Sequence, residues 1–137
     1  MNATEKNKAI VIRFNKEVIE GGNTGSFKEL VAENVVNHTA APGMSQGADG
    51  MIYFLQNVLQ TAFPGLKVII HDQVAEGDKV TTRKSIHGTH TGEFMGIPAT
   101  GKKVTIDVID IIRLQDGKYA EHWGMSNIPS VIAELSK

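Results

Sequence analysis

The stretch from Val104 to Gly124 constrains this chain more than any other. Val104-Thr105-Ile106-Asp107-Val108-Ile109-Asp110-Ile111-Ile112-Arg113-Leu114 is β-branched and apolar enough to read as a strand buried on both faces. Gln115-Asp116-Gly117 follows, and then Lys118-Tyr119-Ala120-Glu121-His122-Trp123-Gly124. The Asp-Gly pair is the strongest hairpin signal in the sequence. Two carboxylates inside the strand, and a His-Trp pair on its return partner, do nothing to build a core. Burying a carboxylate costs several kcal/mol or forces it to take up a proton. A chain that keeps one there uses it, so the candidate site is sought in this hairpin.

The turn decides which residues meet. A three-residue loop, Gln115-Asp116-Gly117 with Gly117 left-handed, sets Leu114 opposite Lys118. Ile112 then faces Ala120 and Asp110 faces His122, a cross-strand acid–base pair with Asp107 on the other face. A two-residue loop, Asp116-Gly117, slips the register by one and sets Asp110 against Trp123. The three-residue loop is the favoured reading, because Asp followed by Gly suits its last two positions. The alternative to a catalytic pair is a buried ion pair or a hydrogen bond that fixes register, since such networks also perturb titration.

At 137 residues the chain is expected to form one domain, residues 1–137, with a sizeable core. Net charge is −1 with Lys and Arg scattered, so there is no electrostatic footprint for nucleic acid. Cysteine is absent, which excludes disulfides, a thiol nucleophile and thiolate metal sites, and fits a cytoplasmic setting. The N-terminal apolar segment is interrupted by Arg13, Asn15 and Lys16, so it reads as neither a signal peptide nor a membrane span.

Thr4 is the expected cap of a helix over Glu5 to Glu20, with Ile10, Phe14 and Val18 at fourfold spacing. A short helix from Ser26 to Ala32 and an extended piece from Val35 to Thr39 come next. His38, between an apolar run and a loop, either lines a pocket or caps a turn. Gly47 to Phe63 forms the second long helix, with Met51, Leu55, Val58, Leu59 and Ala62 as its apolar face. Pro64-Gly65 ends it. Leu66 to Val74 and Lys79 to His90 are strands joined at Glu76-Gly77-Asp78. In the second, Val80, Thr82, Lys84 and Ile86 share one face. Thr81, Arg83, Ser85 and His87 share the other, a solvated or subunit-facing surface on which His71 and His87 need no role. Thr91 to Lys103 is a glycine-rich loop whose Phe94, Met95 and Ile97 either close a cavity or pack on a neighbouring subunit. Ile128 to Leu135 is the C-terminal helix. Helices and hairpin-joined strands without βαβ alternation give an α+β domain, its long antiparallel sheet curled and its concave side covered by helices.

The run Gly88-Thr89-His90-Thr91-Gly92-Glu93-Phe94-Met95-Gly96-Ile97-Pro98-Ala99-Thr100-Gly101-Lys102 resembles the SnoaL-like polyketide cyclases, also called predicted ester cyclases. So do Val108-Ile109-Asp110-Ile111-Ile112-Arg113, Asp116-Gly117-Lys118 and Glu121-His122-Trp123, together with Val36-Asn37-His38, Ala62-Phe63-Pro64-Gly65 and Glu76-Gly77-Asp78-Lys79-Val80. The resemblance spans nearly the whole chain, and order and spacing carry it rather than any one motif. It implies a cone-shaped α+β barrel of the nuclear transport factor 2-like kind, a curved antiparallel sheet closed by N-terminal helices around a deep apolar pocket. It also implies a homodimer or homotetramer. Family members close a polyketide ring by an intramolecular aldol step without metal or cofactor, using an aspartate as acid and base.

That role carries over to Asp110, with His122 as its partner. His38, His90, Trp123, Phe94 and Phe14 are the candidate substrate contacts, although Trp123 also suits a core position. Gly124 departs from a common form of the family, which has Asp after the Trp. The expected ligand is a small hydrophobic carbonyl compound. Two other readings stay open: hydrolysis of an epoxide or lactone through a water held between Asp110 and His38 or Asn37, and a non-catalytic binding or structural dimer. A metal site from His38, His90 and His122 ranks below these, because the three lack the local spacing of zinc motifs.

Overall fold

A computed structural model describes the whole chain, Met1–Lys137. Helix α1 (Ala3–Arg13) starts at Asn2, whose side chain accepts the Glu5 amide, so the cap lies two residues before the expected Thr4. From Phe14 to Glu20 the same helix widens to π geometry. Helix α2 (Thr24–Leu30) is capped by Asn23 and turns directly into strand β1 (Val31–Asn37), so the strand begins four residues before the expected extended piece. Helix α3 (Ala48–Tyr53) also continues as a π segment, Phe54–Gln60. Strands β2 (Lys67–Glu76), β3 (Lys79–Thr89), β4 (Lys103–Gln115) and β5 (Lys118–Ser126) follow, then helix α4 (Ile128–Leu135).

The strands form one sheet in the order β1-β5-β4-β3-β2. Neighbours among β2 to β5 are antiparallel, but β1 pairs with β5 in parallel, so the expected antiparallel sheet is mixed. Helix α2 makes this possible by delivering β1 to the free edge of β5. The fold is α+β, a curved sheet whose concave face is covered by the helices. Val11, Phe14 and Val18 from the first helix and Met51, Leu55 and Leu59 from the second meet Val68, Val80, Ile86, Ile106 and Ile112 in one core. No helix is long and apolar enough to cross a membrane.

The β4–β5 hairpin differs from both expected registers. Its turn is the two-residue Asp116-Gly117, both at positive φ (52° and 75°), the backbone that matches strand twist. Gln115 pairs with Lys118 and Leu114 with Tyr119, but Arg113 pairs with Glu121, so Ala120 is an extra residue in β5. After this bulge Ile112 faces His122 and Asp110 faces Gly124. A bulge restores the facing that the shorter turn would have reversed. His122 therefore shares a face with Asp110, displaced by two positions from the favoured pairing. Tyr119, opposite Leu114, and the bulged Ala120 are both buried.

Candidate functional site

Between the concave face and the helices lies a cavity of ≈ 310 Å³. That is at the lower end of the range for small-molecule sites, about 300–1,000 Å³. Its walls are mostly apolar: Phe14 and Ile19 from the first helix, Met51, Phe54, Leu55 and Leu59 from the second, and Ile86, Ile106 and Val108 from the sheet. Ala40, Ala41, Met44 and Met95 come from loops, Met125 from the end of β5 and Ile128 from α4. Both π segments begin at a phenylalanine, Phe14 and Phe54, that lines the cavity. Such widened turns recur at functional sites because they push side chains out of the regular helical pattern.

A short chain of polar groups crosses this apolar wall. Asp110 projects inward from the middle of β4 and is only 3% exposed. Its Oδ2 lies 3.3 Å from His122 Nε2 and 3.4 Å from Lys84 Nζ, whereas Oδ1 is buried without a hydrogen-bond partner. Lys84, 4% exposed on β3, donates to Asn15 Oδ1 at 2.7 Å. Asn15 is itself fully buried in the first π segment, and its Nδ2 donates to the Val11 carbonyl at 2.9 Å, which fixes which end of the amide meets the lysine. At the other end, Asn37 Oδ1 takes the Thr39 backbone amide at 3.1 Å and lies 2.8 Å from His122 Nδ1. An oxygen that already accepts from a backbone amide is the acceptor for the imidazole too, so Nδ1 carries a proton.

Burial pushes the Asp110 carboxyl upward, but the Lys84 charge and the His122 ring together hold it below the ordinary aspartate range. The carboxylate is therefore ionised at neutral pH in surroundings that would otherwise protonate it. Tyr119, also on the cavity wall, has its ring centroid 6.1 Å from that of His122 and 4.8 Å from that of Phe14. Burial first, and the Asp110 charge second, raise its phenol well above the usual value, so it remains a proton donor.

The cavity gathers Asp110, His122 and Phe14 of the expected residues and leaves four elsewhere. Trp123 pairs with Ile111 on the convex side, because side chains alternate along β5, and it stacks on His38 at 4.8 Å between centroids. His38 Nε2 meets Glu121 at 2.7 Å on that same side rather than facing the cavity. His90 is fully buried outside the cavity, its Nδ1 accepting from the Thr100 amide at 3.2 Å and bonded to Thr100 Oγ1 at 2.9 Å. It ties the two ends of the 91–102 loop together. Phe94 is fully buried against Phe63, ring centroids 5.0 Å apart, so it anchors that loop and leaves Met95 to reach the cavity mouth. No three His, Asp or Glu side chains converge as a metal-binding group.

Sequence reasoning did not single out Lys84, Tyr119 or Asn15, and it named Asn37 only as a holder of water in the hydrolase reading. A signal existed for Lys84, which lies in phase with Val80 and Ile86 on the inward face of β3. Tyr119 faces inward because the two-residue turn pairs it with Leu114, whereas the favoured three-residue loop would have turned it outward. Asp107 does lie on the opposite face from Asp110, where it accepts Ser85 Oγ at 2.8 Å.

Comparison with known proteins agrees with this architecture. The family model for SnoaL-like polyketide cyclases matches residues 9–135. A curated relative, the aklanonic acid methyl ester cyclase DnrD of Streptomyces peucetius, is 37% identical over 46 residues, which is 34% of this chain and 32% of that protein. The matched stretch thus spans about a third of that curated relative. The crystal structure of wild-type IdmH from Streptomyces antibioticus, a candidate polyketide cyclase, superposes with a TM-score of 0.82 at 30% identity, covering 96% of this chain and 99% of that one. TsrD from Streptomyces laurentii, at 22% identity, shares the fold with a TM-score of 0.86 over 98% of each chain.

Proposed function

The chain belongs to the SnoaL-like polyketide cyclase family, and on that premise we propose that it is a cofactor-independent cyclase whose acid–base residue is Asp110. The observation that supports this reading is a buried, ionised carboxylate on the wall of an apolar cavity, with one oxygen lacking any partner. A carboxylate left under-coordinated by the protein is available to a proton on the substrate. The substrate class is a small hydrophobic compound with two carbonyl groups within reach of each other.

Asp110 removes a proton from the carbon beside one carbonyl, and the charge moves onto that carbonyl oxygen. Tyr119, which keeps its phenolic proton, and His122 stand on the same wall to hydrogen-bond the enolate. The enolate carbon then attacks the second carbonyl carbon of the same molecule. The new alkoxide takes back a proton from the Asp110 carboxyl, so the overall step is an isomerisation with no atom gained or lost. Acid–base positioning of this kind contributes about 10²–10⁴ in rate.

The test is exchange of the α-hydrogen of an aryl alkyl ketone in D2O, followed by mass spectrometry. Wild-type protein accelerates exchange, and Asp110→Asn lowers the rate by about 10²–10⁴. Equal exchange by both proteins would overturn the assignment of Asp110.

The working form in this proposal is a homodimer. Ile69, Ile109 and Ile111 stand exposed on the convex face of the sheet, and Met125 is 81% exposed at its edge. A second copy covering this face removes that apolar area from water.

A further inference from the structure

We propose that Lys84 is a second reactive group of the cavity, an amine that condenses with a carbonyl of the ligand to give an imine or, from a 1,3-dicarbonyl, an enaminone. The inference rests on the carbonyl-ligand reading above and adds to it a covalent step that acid–base catalysis by Asp110 does not require.

Lys84 is 4% exposed, on β3 at the cavity wall beside Ile86 and Asp110. Lysines are almost never buried to this degree without a dedicated partner. The carboxylate nearby is shared: Asp110 Oδ2 has His122 Nε2 at 3.3 Å as well as Lys84 Nζ at 3.4 Å. His122, itself anchored through Nδ1 to Asn37 Oδ1 at 2.8 Å, thus competes with Lys84 for that oxygen. With His122 within 3.3 Å of the same oxygen, the carboxylate keeps a neighbour when the Lys84 nitrogen turns to a ligand carbonyl. Desolvation in an apolar pocket is one of the standard ways a protein makes a lysine nucleophilic. Asn15 Oδ1, at 2.7 Å, fixes the end of the flexible side chain without supplying a negative charge.

The chemistry balances without any further reagent. The ammonium first releases a proton to solvent. The amine lone pair adds to a carbonyl carbon, and the carbonyl oxygen becomes a hydroxyl. That hydroxyl leaves as water as the C–N bond gains double-bond character. With a 1,3-dicarbonyl, the central carbon then gives up a hydrogen and the nitrogen keeps one, which yields the conjugated enaminone. Asp110, His122 and Tyr119 are the groups beside the reacting atoms that can pass these protons. Water reverses the condensation and releases the ligand.

The probe is benzoylacetone, a hydrophobic 1,3-diketone, with full-length protein. The expected result is a new near-ultraviolet band and an intact mass equal to protein plus diketone minus water, at one equivalent per chain. Peptide mapping then places the adduct on Lys84. Lys84→Arg, which keeps the charge and most of the bulk, loses the band and the adduct. An adduct confined to surface lysines such as Lys102 or Lys103 in the wild-type protein would overturn the proposal, and so would no adduct at all. Because mapping is done on wild-type protein, the answer stands even if the variant folds poorly. The two readings fail separately: absence of the adduct leaves Asp110-dependent exchange intact, and loss of that exchange leaves capture of the diketone to be read by mass alone.

Discussion

A side chain at position 124 would occupy the space that the His122 ring now fills. A Cβ built there lies 2.8 Å from His122 Cε1, 3.1 Å from Nε2 and 3.5 Å from the Asp110 Cβ. The family departure noted at this position is thus what lets the imidazole lie across to Asp110. Gly124→Ala is expected to displace the ring and remove one of the two groups that hold Asp110 low, so its carboxyl titrates upward. Carbon-13 NMR of labelled Asp110 reads this directly, and an unchanged titration would refute the link. Lys84→Met removes the lysine charge, the largest single lowering influence, and is likewise expected to shift the Asp110 carboxyl upward. Breaking one side of a buried ion pair also destabilises by about 3–5 kcal/mol, measurable by urea unfolding. The sign with pH follows from the direction of the shift. A carboxyl held low when folded contributes stability above its unfolded value of about 3.9, and the contribution is lost as pH falls through the lower folded value. Glu17, held at about 2 by the Arg13 guanidinium and then by Ser26, adds to the same acid-side loss. The melting temperature is therefore expected to fall on acidification below about pH 4, where the unfolded chain begins to bind these protons.

Two glycines show how tightly the strands and helices are locked. A Cβ at Gly88 on β3 would come within 2.7 Å of the Phe63 Cβ, and one at Gly92 within 2.0 Å of the Thr61 carbonyl oxygen. Gly92→Ala meets rigid backbone and is expected to lower the melting temperature more than Gly88→Ala, which meets a side chain. Calorimetry on the two variants checks the order. At this scale the sequence was legible wherever periodicity carried the signal. The inward run Val80, Thr82, Lys84 and Ile86, the long helices and the C-terminal helix all follow hydrophobic phase, which burial enforces. The β1 pairing was not legible, because an edge strand's direction depends on where α2 delivers it. Nor was the hairpin register. The Asp-Gly turn was visible, but a bulge at Ala120 leaves no mark in a pattern where Tyr119, Ala120 and His122 all suit a buried face. The site inherits this limit: Asp110 and His122 were found by residue type, and Tyr119 was missed because the two-residue turn, which sets it opposite the inward Leu114, was not the favoured one.

At the scale of the molecule, the sheet has two faces with different uses. The concave face, under the helices, holds the cavity and every polar group argued to act there. The convex face carries Ile109 and Ile111 in alternation with the inward Asp110 and Ile112, so one strand serves both faces. Trp123, stacked on His38, stands beside Ile111 on this side and extends the apolar strip. His38 is bonded to Glu121, and Glu121 is also paired with Arg113, which rims the strip with satisfied charge. A hydrophobic centre with a polar rim is the composition of an interface between proteins. If two copies meet here, a charge in the centre of the strip is desolvated in the dimer and solvated in the monomer. Ile109→Asp is therefore expected to shift the protein from dimer to monomer in light scattering coupled to gel filtration. Its side chain points away from the cavity, so uptake of a hydrophobic dye by the cavity should persist. A wild-type protein that elutes with the mass of one chain, or a variant that stays dimeric, would refute this use of the convex face. The concave site is argued independently of either result, since Asp110, His122, Lys84 and Tyr119 all stand on the inner face of the sheet.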